Sequence, residues 1–348
     1  MTISAQYGLV DQITFFNKTV ASVDLSGYYL LYNGDFAYNK SYSNDYAWGA
    51  VKRLDKYEKG CLSSLYFVFR PTDKVDSDYL THYFETNKWH KGISDIAGEG
   101  ARNHGLLNMA VDDYFATKHY LPSLSEQKKI ACFLNLITKR IEIQNKIISD
   151  LKVLKKELCN KVFGKGSAVR LGDFIEEVTT RNKSNNCENV LSVSNKMGFI
   201  KQSEQFEDRT VASENKSNYK VVTEGCFAYN PARINVGSIA LLSTYKIGII
   251  SPMYVCFKTK SALDSEYLNF YYQSGFFYKE LQKKLEGSVR QCLTYENMSE
   301  ILIPYVGIEK QKAIATALNK FATLIANEEK YLKSLQKQKS YFLSAMFI

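Results

Sequence analysis

Leu121-Pro122-Ser123-Leu124-Ser125-Glu126-Gln127-Lys128-Lys129-Ile130-Ala131 is echoed further along the chain by Ile303-Pro304 and then Gln311-Lys312-Ala313-Ile314-Ala315. In both places a proline precedes a charged turn, a Gln-Lys pair and the start of an apolar stripe. Proline fits the entrance of a helix, where its missing N–H costs nothing. From the first echo, Ile130, Leu134, Ile137, Ile141, Ile148, Leu151, Leu158 and Val162 recur at steps of three and four. From the second, Ile314, Leu318, Phe321, Ile325, Leu332, Leu335, Phe342 and Met346 repeat that spacing. Even the polar interruptions match, Gln144 with Glu328 and Lys155 with Lys339. A seam of this period over many turns predicts two long helices able to pack as a coiled coil. Gly164-Lys165-Gly166 is a stop signal for the first. Each would run about 38 residues, or about 57 Å.

Working outward, the repeat extends over the rest of the sequence. Gly34-Asp35-Phe36-Ala37-Tyr38-Asn39 returns as Gly225-Cys226-Phe227-Ala228-Tyr229-Asn230, and Asp76-Ser77-Asp78-Tyr79-Leu80 as Asp264-Ser265-Glu266-Tyr267-Leu268. Glu99-Gly100-Ala101-Arg102 is answered by Glu286-Gly287-Ser288-Val289-Arg290. The matches keep their order, with small drifts of offset that loop-length changes would produce. An internal duplication follows. Each copy opens with about 120 residues of mixed character, in which Leu65 to Phe69 and Met253 to Phe257 read as strands and a short helix starts near Ser77 and near Ser265. The expected class is α+β: two mixed α/β domains separated by two long antiparallel coiled-coil helices. The boundaries read as 1–122, 123–164, 165–306 and 307–348. Helices that each pack only on their own domain are the alternative. The copies differ at the start, because Thr2-Ile3-Ser4-Ala5 lines up with Ser192-Val193-Ser194-Asn195, leaving Val169 through Leu191 without a counterpart. Either the first domain is trimmed or the reading frame begins upstream in a longer relative.

Composition narrows the function. The formal charge is +9 with a pI near 8.9, which favours a polyanionic partner. There are 25 Tyr, a side chain suited to wet interfaces. The seven Cys stand at 61, 132, 159, 187, 226, 256 and 292 with no CxxC spacing, as scattered reduced thiols in a cytoplasmic protein would. No signal-peptide pattern and no run of 18 apolar residues occurs, so no membrane role is expected. The four His, at 82, 90, 104 and 119, all lie in the first copy, whereas a duplicated enzyme would carry its base in both. HExxH, GxSxG and P-loop patterns are missing. Tyr229-Asn230-Pro231 has the wrong order for the Asn-Pro-Pro-Tyr of adenine methyltransferases, and the first copy reads Tyr38-Asn39-Lys40. No catalytic centre, cofactor or metal site is expected.

Basic residues instead interleave with Tyr, Asn and Gln in both copies. Lys and Arg neutralise phosphates, while Asn, Gln and Arg have the geometry to meet base edges. The candidate DNA contacts are Asn39, Lys40, Arg102, Asn103, Lys196, Lys201, Asn230, Arg233, Asn235, Arg290 and Gln291. Asn39 with Asn230 and Arg102 with Arg290 recur, which suits positioning or scaffold. Arg233 and Asn235 lie where the copies diverge, which suits reading.

On the doubled Pro-to-Gln-Lys stretch, on Glu286-Gly287-Ser288-Val289-Arg290-Gln291 and on Leu171-Gly172-Asp173-Phe174, the chain resembles the DNA specificity subunit of type I restriction-modification enzymes. Lys310 stands where that pattern usually has Glu. The resemblance implies two target-recognition domains, each reading half of a bipartite, interrupted double-stranded DNA target. It also implies two adenine-N6 methyltransferase subunits and ATP-dependent restriction/translocase subunits as partners, which would hold the S-adenosylmethionine and ATP. A two-lobed coiled-coil adaptor without DNA specificity is the alternative, and a self-sufficient methyltransferase or nuclease would need a cofactor pocket.

Overall fold

A computed structural model describes residues 1–18, 24–43, 45–98, 105–195, 197–205, 215–286 and 291–347. The chain mixes sheet and helix, with one long helix in the middle, Leu124–Phe163, and another at the end, Ile308–Met346. At 40 and 39 residues they slightly exceed the expected length. Residues 1–146 with 330–348 form one compact unit and residues 147–329 another, so both long helices contribute to both. No helix among the described residues is long and apolar enough to cross a membrane.

In the first unit the strand Phe36–Asn39 lies between Ala50–Arg53 and Phe67–Phe69, antiparallel to each. Tyr29–Tyr32 pairs with Lys59–Leu62, and Thr2–Ser4 with Gly8–Val10. Gly34 leads into the central strand with φ of 92°, a conformation open to glycine and strained for other residues, which explains why glycine stands at this turn. Asp35 is buried. Its desolvation is outweighed by the Arg70 guanidinium at 2.6 Å and by the Tyr32 N–H, which hold its carboxyl below the usual range. The helix Ser77–Tyr83 is capped by Asp76, which accepts from the Tyr79 N–H at 2.9 Å. Behind the sheet, Phe36, Tyr38, Tyr79, Tyr83, Trp89 and Tyr114 form an aromatic core into which Leu134 of the first long helix and Phe347, just past the end of the second, insert. Phe133 meets Phe342 and Arg140 hydrogen-bonds Tyr331, so the helix segments of this unit run antiparallel.

The second unit is built on similar lines. Cys226–Tyr229 is flanked by Ile239–Leu241 and Val255–Thr259, and Ile175–Glu177 adds a fourth strand outside the latter. A second sheet orders Gly198–Lys201, Val190–Ser194, Ile247–Ile250 and Lys220–Thr223. Ser167–Arg170 pairs with Leu302–Tyr305 just ahead of the final helix. Gly225 repeats the left-handed turn at φ 83°, and Asp264 caps Ser265–Tyr272 by accepting from the Tyr267 N–H at 2.8 Å. Phe163, Ala315 and Leu318 of the long helices complete this core.

The short helices start at Ser77 and Ser265 as expected, each capped by the aspartate before it, Asp76 and Asp264, whose carboxylate on an extended residue reaches the third N–H. One local expectation changes. The strands are shorter than the apolar runs: the Tyr66 N–H donates to Ser63 and the Tyr254 N–H to Ser251, which places Leu65-Tyr66 and Met253-Tyr254 in turns. The helix seam follows the expected register. Leu134, Ile148, Leu318 and Leu335 are buried and the other twelve seam residues are half-buried, whereas Leu136, Ile143, Val153, Leu154 and Leu324 off the seam are exposed.

Gln127 and Gln311 account for the shared helix entrance. Gln127 is 1% exposed; its Oε1 accepts from the Asp76 N–H at 2.8 Å and its Nε2 donates to the Pro122 carbonyl at 2.9 Å. Gln311 is fully buried; it accepts from the Asp264 N–H at 2.8 Å and donates to the Val306 and Ala262 carbonyls. One amide thereby ties each long helix to the cap of the short helix in front of it. Ser123 and Glu126 add a reciprocal capping box to the first helix, while Lys310 cannot close one on the second.

Candidate nucleic-acid interface

The central strand of each unit delivers an asparagine to a turn. In the second unit the Asn230 Oδ1 accepts from the Ala232 N–H at 3.0 Å, and its backbone carbonyl accepts from the Arg233 N–H at 3.0 Å. The Arg233 carbonyl in turn receives the N–H groups of Val236 and Ser238. Gly237, at φ 86°, reverses the chain into Ile239–Leu241. The backbone of Arg233 is therefore fixed, while its side chain is exposed and its guanidinium bonds to none of the described residues. Asn235 is half-buried in the same turn. In the first unit the Asn39 Oδ1 accepts from the Ser41 N–H at 2.9 Å, the same turn chemistry. The Lys40 ammonium sits 4.6 Å from the centre of the Phe67 ring.

Each turn is hydrogen-bonded to a further segment of its own unit. Glu286 and Cys292 exchange both backbone hydrogen bonds, and the Leu293 N–H donates to the Pro231 carbonyl, which brings exposed Gln291 beside the Arg233 turn. In the first unit the Gly98 N–H donates to the Asn108 carbonyl, and Leu107 and Tyr42 tie Gly105 to Leu107 onto the Asn39-Lys40 turn. Arg102, Asn103 and Arg290 belong to the intervening segments and lie outside the described residues, as does Lys196.

Behind the Arg233 turn a polar cleft of about 390 Å³ is lined by Ser192, Asn195, Gln202, Asn230, Arg233 and Tyr254 among others. Lys201 is exposed on the strand leading to Gln202. The structure thus brings Asn230, Arg233, Asn235 and Gln291 together with Lys201 nearby, and separately Asn39 with Lys40. Ser192, Gln202 and Tyr254 were missed, because nothing in their local sequence marks a cleft that arises from strand pairing.

The other titratable groups are occupied structurally. His82 is buried against Asn135 at 2.8 Å, and His119 bonds Tyr83 and Thr117. Burial pushes the Cys226 thiol up to about 11 and Cys256 up to about 12, which removes both as nucleophiles near neutrality. Among the described residues no group of three or more His, Cys, Asp or Glu could hold a metal ion. Exposed arginine, lysine and amide side chains on a fixed backbone can donate to phosphate oxygens and to base edges.

Residues 167–337 match the family model of the type I restriction modification DNA specificity domain. The chain is similar to two proteins of Methanocaldococcus jannaschii. It is 24% identical over 327 residues to the type I restriction enzyme MjaVIII specificity subunit, spanning 83% of this chain and 74% of that protein. It is 26% identical over 302 residues to the putative type I restriction enzyme MjaX specificity subunit, spanning 80% and 69%. Its fold resembles the crystal structure of the type I restriction-modification S subunit from M. genitalium, with a TM-score of 0.55 at 13% identity, covering 91% of this chain and 83% of that one.

Proposed function

The chain belongs to the family of type I restriction-modification DNA specificity subunits, and from that premise we propose that it reads a bipartite, interrupted DNA target through two unequal recognition domains. As a specificity subunit it recognises DNA sequence and carries out no catalysis of its own. The recognition domains are residues 1–122 and 165–306, products of an internal duplication. The helices of 123–164 and 307–348 pair antiparallel between them and set the spacing of the half-sites. Two adenine-N6 methyltransferase subunits and ATP-dependent restriction/translocase subunits assemble on this frame in the cytoplasm, and they supply the cofactors.

The observation that carries this reading is the recurring asparagine turn and its backbone pairing to a second segment. In each unit an asparagine turn is hydrogen-bonded through its backbone to a second segment and offers basic or amide side chains on a fixed backbone. Asn39 and Asn230 use their carbonyl oxygens to hold their turns, which supports a scaffold role. Lys40, Lys201, Gln291, Arg102, Asn103, Lys196 and Arg290 are assigned to the wider contact surface, and Arg233 and Asn235 to base readout. Removal of a base-reading arginine costs about 1–3 kcal/mol and relaxes one position of the target, whereas removal of a phosphate contact weakens all sequences alike. Competition binding by the complex with methyltransferase, against DNA randomised in each half-site, tests this. Arg233→Ala is expected to relax one position of one half-site, and Arg290→Ala to lower affinity uniformly. An unchanged preference in Arg233→Ala, or an altered position in Arg290→Ala, overturns the assignment.

A further inference from the structure

Besides its buried seam, the first long helix carries a second stripe. Leu136, Arg140, Ile143, Ile147, Asp150 and Leu154 recur at steps of four and three, about 100° around the helix from the seam. Leu136, Ile143, Ile147 and Leu154 are 60%, 51%, 41% and 55% exposed, against 0% for Leu134 on the seam. Arg140 and Asp150 are exposed as well. One Arg140 N–H reaches the Tyr331 hydroxyl, and a guanidinium has four further donors. Asp150 forms no ion pair with the described residues. Large apolar side chains held in water along one line of a helix, at coiled-coil spacing, make a seam for a further helix.

The order of the six residues selects that helix. Leu136 and Leu154 stand equally far from Asn145, as do Arg140 and Asp150, and Ile143 and Ile147. Turned end for end, the stripe therefore matches itself: leucine meets leucine, isoleucine meets isoleucine, and arginine meets aspartate. An antiparallel pair of such helices builds six layers over about 27 Å, two of them Arg–Asp pairs. This is the self-complementarity that a two-fold contact between identical chains requires. Parallel pairing would instead set Arg140 on Arg140 and Asp150 on Asp150. Further out, Lys129 would face Lys161, which confines the match to the middle of the helix. The second long helix has Lys320, Leu324, Asn327, Tyr331, Ser334 and Gln338 at the corresponding positions. A partner gripping both helices alike would lose most of the apolar contact on one of them.

We propose that the stripe over 136–154 is a self-association surface, on which the same helix of a second copy of this chain packs antiparallel, with Arg140 of each copy against Asp150 of the other. Sedimentation velocity of the full 348-residue chain, at physiological salt and from about 1 to about 100 μM, tests it. The mass is expected to rise with concentration from 39.8 kDa toward twice that value. Ile143→Asp should weaken the dimer at least tenfold and leave the thermal midpoint of the chain unchanged, because the side chain is already half in water. Arg140→Asp and Asp150→Arg each set like charges opposite one another in two layers, and each should weaken the dimer about tenfold. Arg140→Asp also loses the bond to Tyr331, so the two variants are then mixed in equal amounts. The mixture sets Asp against Arg in both layers and should recover the unaltered dissociation constant within about threefold. A chain that stays at 39.8 kDa at every concentration overturns the proposal. A dimer that Ile143→Asp leaves intact lies on another surface and overturns it too, and a mixture no tighter than its components overturns the antiparallel register.

Discussion

Replacing Gln311 with leucine keeps its volume and deletes its hydrogen bonding. In the native unit its Oε1 receives the Asp264 N–H at 2.8 Å, and its Nε2 serves the carbonyls of Val306 at 2.7 Å and Ala262 at 3.2 Å. Gln311 is fully buried, so water cannot take over its part without opening the helix entrance. Leaving a buried backbone group unsatisfied costs about 1–3 kcal/mol. Val306 and Ala262 can recover part of the loss from solvent, so the expected cost is roughly 2–5 kcal/mol. At about 2–4 °C per kcal/mol for a unit of this size, the midpoint should fall by about 5–15 °C. Gln127→Leu removes the same bonds at the other helix entrance and should cost a similar amount. Thermal unfolding followed by circular dichroism gives the midpoints, and exchange at the Asp76 and Asp264 amides localises the effect. A shift under about 1 °C in either variant refutes the claim that this amide ties the long helix to the short helix in front of it.

The pH dependence of the first unit should carry the signature of Glu85. Burial opposes its ionisation, but the His82 hydrogen bond and the Lys339 ammonium at 2.8 Å hold its carboxyl down to about 2. A depressed carboxylate stabilises the fold above its ordinary pKa of 4.5, and that stability is lost as pH falls from about 4.5 toward 2. Because Glu85 is about 30% exposed, the wild type should exceed Glu85→Gln by on the order of 1–3 kcal/mol at pH 7, with the gap closing by pH 2–3; a gap constant across that range contradicts the assignment. For the helices, Ile141→Asp combined with Ile325→Asp puts two carboxylates into half-buried seam positions, and a loss of about 3 kcal/mol or more is expected. An unchanged midpoint in that double variant refutes seam pairing.

What was legible in the sequence is what the backbone demands of particular side chains. Gly34 and Gly225 sit at positive φ, Asp76 and Asp264 cap helices, and Gln127 and Gln311 fill buried hydrogen-bonding sites, so each pair was held to one residue type. The helix seam was legible because a period near 3.6 has few other structural meanings. Strand limits were not, because Leu65-Tyr66 and Met253-Tyr254 are as apolar as the strands they precede yet form turns. The polar cleft was not either. It depends on Val190–Ser194 pairing with Ile247–Ile250, distant in sequence, a long-range outcome that local pattern does not encode. Arg233 was legible as a candidate only because the two similar stretches of sequence diverge there. The structure adds that its backbone is fixed and its side chain exposed.

The central claim is that this chain supplies the sequence preference of a methyltransferase complex through two separated half-sites. The most direct measurement co-expresses the chain with the proposed adenine-N6 methyltransferase partner in a host devoid of adenine methylation and maps the modified bases by single-molecule sequencing. The account predicts methylation confined to one interrupted sequence, two short specified blocks at a fixed separation. Methylation of a single uninterrupted block, or scattered methylation independent of sequence, would contradict it.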